Sequence, residues 1–242
     1  MELAERLRSA PDVRLFRLFC VLNASGYNLE CNPAGMHPVR LAVRAALAGW
    51  ESPVKQRLWT LVQQTHQFAF VYWTLNHGID DPAALTGRSL TDAFAGSPEL
   101  AAVFEALAPE LDAINRAIFA ESPWQGLWDE HRPAHEREAA RHRPAGQLAV
   151  SAIEDYLRPK SPPKAAVVYV PNLLDSYSTG YAVDTGPVVY VVSGPSDDLN
   201  QHIVRHEYAH ILVNPLVASQ REALDATAHL FPKVADLSNQ YL

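Results

Sequence analysis

Residues 188–215 read VVYVVSGPSDDLNQHIVRHEYAHILVNP, a strand pattern followed at once by a helix pattern. Val188-Val189-Tyr190-Val191-Val192 is a β-branched and aromatic run bounded by Gly186-Pro187 and Gly194-Pro195, the pattern of a short strand between turns. Ser196 then stands where a helix N-cap is expected, with Asp197 and Asp198 in the first turn, where carboxylates suit the helix dipole. Leu199, Ile203, Val204 and Val213 supply apolar positions for that helix. Asn214-Pro215 is expected to stop it, because the residue before a proline avoids the α region.

Upstream, Pro159, Pro162 and Pro163 make a break, and Ala165 to Val170 reads as a second strand. Asn172 to Gly180 between the strands is turn-rich. Downstream, a helix is expected from about Val217 to His229. The first two thirds of the chain read as helices. Val13–Asn23 has near-helical apolar spacing. Pro38 opens a helix to Trp50, and Pro53 opens one expected to reach Asn76 before Gly78. Further helices are expected over Ser97–Phe119 and Ala134–Leu157. Phe68, Phe70, Tyr72 and Trp73 cluster on one of these segments and read as helix–helix core. The expectation is therefore an α+β, mostly helical protein. Residues 1–160 form a helical N-terminal region, and residues 161–242 form a core in which a small sheet packs on the helix bearing residues 206–210. The alternative is one continuous domain.

Composition narrows the class. At 242 residues and 48% hydrophobic, the chain can bury a sizeable core. A net charge of −7 argues against a nucleic-acid binder, which needs a basic face. The Arg-rich stretch His131–Arg143 also carries Glu136 and Glu138 and reads as a solvated helix face. Cys20 and Cys31 are too few for a disulfide framework, and Cys20 reads as a small core residue. Glu2 and Glu5 stand where a signal peptide would be basic, and no run approaches the length of a membrane span. A cytoplasmic protein without membrane or nucleic-acid partners is the expectation.

The chemistry lies in His206-Glu207-Tyr208-Ala209-His210. Residues four apart share a helix face, so the two imidazoles can converge on one ion, and zinc accepts neutral imidazole nitrogen readily. Glu207 points about 100° round the helix, too far to be a ligand with them but well placed to take a proton from water beside the ion. His202, four residues earlier, would lie about 12 Å from His210 along the axis and reads as a surface residue. No nucleophile elbow surrounds Ser151 or Ser193, and no phosphate-binding glycine loop is present.

This arrangement resembles the zincin metallopeptidases, in which an edge strand precedes the H-E-x-x-H helix and lies beside the cleft. Val188–Val192 occupies that place in the sequence. The extended motif of the metzincins is missing, since Val213 and Leu216 stand where its glycine and third histidine would be. The continuation to Asn214-Pro215 is instead similar to a bacterial, gluzincin-like family with the motif H-E-x-x-H-x-x-x-N-P. That resemblance covers about residues 165–235. It implies a zinc-dependent peptidase acting on a peptide or protein, with His206 and His210 as ligands and Glu207 as general base. It also implies a third, acidic ligand on a later helix. Glu222, Asp225, His229 and Asp236 are the residues in range, Glu222 and His229 being the candidates. The competing readings are a non-catalytic zincin-like binding protein with an incomplete metal site, and a helical interaction protein whose motif is incidental.

Overall fold

Val188–Ser193 is a strand, and it lies inside a sheet rather than at its edge. In the computed structural model the described residues are 7–27, 35–64, 67–76, 98–120, 123–158, 166–177, 179–186, 188–197 and 201–227. The strands are β1 (Leu7–Ser9), β2 (Ala166–Pro171), β3 (Gly180–Asp184) and β4 (Val188–Ser193), in spatial order β1-β2-β4-β3. β1 and β4 flank β2 in parallel, with Val167 opposite Val189 and Tyr169 opposite Val191. β3 returns antiparallel along β4, with Ala182 opposite Val191, and has no strand beyond it among the described residues. The helices are α1 (Val13–Ala24), α2 (Pro38–Ala46), α3 (Pro53–Gln64), α4 (Gln67–Asn76), α5 (Pro98–Ala120), α6 (Trp124–Leu157), α7 (Gln201–Ser219) and α8 (Arg221–Ala226). The fold is α+β and mostly helical, as the sequence predicts.

Both faces of the sheet are covered, which explains why β2 and β4 read as nearly continuous apolar runs. Val167, Tyr169, Val189 and Val191 meet Ala149 and Val150 of α6 and Val204 and Tyr208 of α7. On the other face Val170, Val192, Tyr181 and Val183 join the core of α1 and α3–α5, around Phe16, Phe19, Leu58, Phe70 and Ile114. The N-terminal helices and the segment after residue 166 thus share apolar core. Cys20 is buried and free, as a core residue should be, whereas Cys31 lies outside the described residues. Among the described residues no helix is long and apolar enough to cross a membrane.

Several expectations are corrected. The helix expected from Pro53 to Asn76 is described as α3 and α4, residues 65 and 66 between them lying outside the described residues. α6 starts at Trp124, ten residues before the expected Ala134, and runs through Pro133 and Pro144. α7 does not stop at Asn214-Pro215 but continues to Ser219, so the short α8 replaces most of the expected Val217–His229 helix. α5 also contains a proline, Pro109. All four of these prolines are solvent-exposed. The carbonyl that each leaves without its helical N–H partner lies on that same exposed side, where water can satisfy it. Ser196 and Asp197 lie in coil before the helix, which is described from Gln201, and Asp198 falls outside the described residues. Ser196 has another contact: its carbonyl accepts from the Arg141 guanidinium at 2.6 Å.

The Arg-rich stretch of α6 is a solvated face except at His135, Ala139 and His142, which are buried. The His135 ring packs edge-on to Phe16, and its Nδ1 lies 3.3 Å from the Pro171 carbonyl. Burial lowers its pKa to about 4, despite the opposing hydrogen bond to Pro171. The folded state therefore keeps His135 neutral down to about pH 4, while the unfolded chain takes up the proton below about pH 6.5. Stability should fall through that window, by about 2 kcal/mol between pH 7 and pH 5. Urea unfolding at the two pH values measures it. His135→Phe should remove most of the difference, and an undiminished difference in that variant would refute the assignment.

Candidate metal centre and cleft

α7 presents His206 and His210 on its exposed side. Their rings lie 4.7 Å apart and nearly perpendicular, at 89°, and their Nε2 atoms approach to 3.2 Å. Two nitrogens about 2.1 Å from one tetrahedral zinc stand about 3.4 Å apart, so this pair fits two corners of such a site with little movement. His210 Nδ1 faces Asn214 Oδ1 at 3.3 Å. Opposite this exposed face, Tyr208 is fully buried, and its hydroxyl donates to Glu154 Oε1 of α6 at 2.6 Å, fixing the rotation of α7.

Glu207 is half-buried against the start of β3. A Cβ on Gly180 would stand 2.8 Å from both Glu207 Oε1 and Ile203 Cγ2, so only a glycine lets the strand come this close to the helix. Burial raises the Glu207 carboxyl above its ordinary value, opposed by His206 and His210. Glu207, His210 and Asn214 line one side of a cleft of about 490 Å³, with Gly180, Tyr181 and Ala182 of β3 and Phe68 of α4 on the other. That size suits a small ligand or a few residues of an extended chain. The expected edge strand is thereby corrected. β4 is interior, and β3 is the strand that borders the cleft.

The N-terminal helices hold β3 in place. Asp175 is fully buried and accepts from Tyr27 Oη at 2.6 Å, Tyr181 Oη at 2.9 Å and the Ser176 amide at 2.7 Å. Burial raises its carboxyl, and these hydrogen bonds oppose the rise. Gln67 Nε2 donates to Tyr181 Oη at 3.3 Å. Arg40, fully buried, donates to Asn23 Oδ1 and to the Tyr27 carbonyl, and its guanidinium lies 5.1 Å from the Tyr27 ring centroid. A buried charge set with this many partners fixes one geometry rather than several.

Among the described residues, no group of three or more His, Cys, Asp or Glu is arranged to hold an ion. The described residues therefore supply two candidate ligands. Glu222 and Asp225 are exposed on α8, Asp225 beside Arg221 at 3.6 Å, and neither joins the histidine pair. His229 and Asp236 lie outside the described residues. His202 is exposed on α7, as expected for a surface residue. Of the aromatic cluster, Phe70, Tyr72 and Trp73 are core, but Phe68 stacks on Tyr181 at 6.1 Å and lines the cleft.

An H-E-x-x-H helix thus lies against the antiparallel edge of a small sheet in an α+β protein, with Glu207 and His210 lining one cleft and His206 adjoining His210. No protein-family model, curated protein or solved structure shows a significant match to the chain.

Proposed function

We propose that this protein is a zinc-dependent hydrolase of the zincin type and cleaves peptide bonds. The observation that carries the reading is the 3.2 Å approach of His206 and His210 Nε2 beside the half-buried Glu207 at the start of β3. His206 and His210 would hold the ion. A bound zinc supplies Lewis-acid charge that acidifies water and polarises a carbonyl. Glu207 takes a proton from the attacking water on its carboxylate and returns it to the leaving amine nitrogen, so its charge is restored at the end of the cycle.

The outer edge of β3 offers main-chain groups to which an extended peptide can add as a further strand, which would draw its backbone past Glu207. Phe68 and Tyr181 favour an apolar side chain next to the scissile bond. A second reading is a zincin-like protein that binds peptides without cutting them. It is favoured by one observation, that the described residues supply only two ligands, whereas zinc sites use three or four.

The test is incubation of the purified chain with a peptide library and mass-spectrometric mapping of products. Cleavage that a chelator stops and added zinc restores, with apolar residues enriched beside the cut, is the expected result. Peptide binding with no cleavage at any zinc concentration would favour the second reading.

A further inference from the structure

Asn214 reads from the sequence as a helix stop, yet α7 continues through Pro215. That continuation keeps Asn214 one helical turn after His210 on the same face, and the two side chains meet, Nδ1 to Oδ1, at 3.3 Å. We propose that Asn214 is a positioning residue that holds His210 in the Nδ1–H tautomer. The inference rests on the zinc reading for its purpose but not for its geometry.

The hydrogen bonds decide the tautomer. A neutral imidazole has one N–H and one lone pair. An oxygen facing Nδ1 can only accept, so Nδ1 carries the proton and Nε2 of His210 carries the lone pair. The 3.2 Å contact between the two Nε2 atoms is then satisfied when His206 donates from Nε2 and His210 accepts. The chain of donors runs from His206 to His210 to Asn214. With its proton held at Nδ1, His210 offers Nε2 to a cation without first shifting a proton, whereas His206 must release its Nε2 proton or carry it on Nδ1 before it can ligate beside it. A carbonyl acceptor behind the ring also makes that nitrogen more basic and fixes the ring plane. The opposite amide orientation would donate from Nδ2 to Nδ1, force the proton to Nε2 and leave His210 unable to ligate as it stands. Asn214 is itself solvent-exposed, so replacing it does not open a core.

The experiment reads the tautomer and the metal separately. Long-range proton–nitrogen NMR correlations of the full-length, metal-free chain should show His210 protonated at Nδ1. Asn214→Ala should move it towards the Nε2–H form and weaken zinc binding, measured by chelator competition, by about tenfold. Asn214→Asp, which keeps an acceptor oxygen, should retain the Nδ1–H form and bind zinc within a few-fold of wild type. His210 found with its proton on Nε2 in the wild type would overturn the proposal. An Asn214→Ala variant with unchanged tautomer would overturn it too. Wild-type chain with the Nδ1–H form but no affinity for zinc would refute the zinc reading alone.

Discussion

In Glu207→Gln, peptide hydrolysis is expected to fall about 10³-fold, within the range seen when a general base is removed, while zinc affinity stays within a few-fold of wild type. The amide keeps the size and shape of the side chain, so the fit of Glu207 against Gly180 and Ile203 survives. What it loses is the ability to accept the proton of the attacking water. The two imidazoles that would hold the ion are separate groups on the exposed side of α7 and keep their 3.2 Å approach. Turnover measured on the best library peptide, with zinc binding measured in parallel, checks both halves. Full activity in the variant would remove Glu207 from the mechanism even if zinc is bound.

The second large effect is expected at the turn that leads into β3. Gly194 follows β4, and its amide donates to the Thr179 carbonyl at 2.9 Å. A Cβ there would stand 1.9 Å from the Ser176 carbonyl oxygen and 2.6 Å from Thr179 Oγ1. Backbone cannot yield as a flexible side chain can, and Thr179 Oγ1 itself donates to that same carbonyl at 2.8 Å. Gly194→Ala must therefore displace the turn that carries Asp175 and leads into β3. A cost of about 3 kcal/mol is expected, which lowers the thermal midpoint by roughly 6–12 °C for a chain of this size. Gly126→Ala in α6 is the control, because nothing lies within 4 Å of its added Cβ. Replacing a helical glycine by alanine there should be neutral or stabilising by up to about 1 kcal/mol. Equal midpoints for Gly194→Ala and wild type would contradict the packing described for this turn.

The sequence makes some of this legible for identifiable reasons. β2 and β4 stand out because a strand covered on both faces is apolar along its whole length. The pairing of His206 with His210 follows from helical spacing alone. The same spacing applied once more, from His210 to Asn214, gives the third member of that face, which Pro215 conceals because Asn-Pro reads as a helix stop. β3 is harder to read. Its five residues alternate between a core face at Tyr181 and Val183 and the α7 side at Gly180 and Ala182, and they carry a glycine and an aspartate. Gly180 is needed for its approach to Glu207, a contact that no local pattern announces. Phe68 could not have been assigned from sequence. It is one aromatic in a segment otherwise buried, and it reaches the cleft only because α4 packs against β3. His135 and His142 were hidden by the charges around them, since the helix buries one narrow stripe and solvates the rest.

Zinc binding by the α7 histidines is read by direct titration of the metal-free chain with zinc, followed by elemental analysis of the gel-filtered protein. Parallel titrations of Glu222→Ala and His229→Ala show whether either residue supplies a third ligand. One zinc per wild-type chain is expected, lost in both His206→Ala and His210→Ala. Wild-type protein that retains no zinc, or variants that retain as much as wild type, would rule out the histidine pair as the metal site.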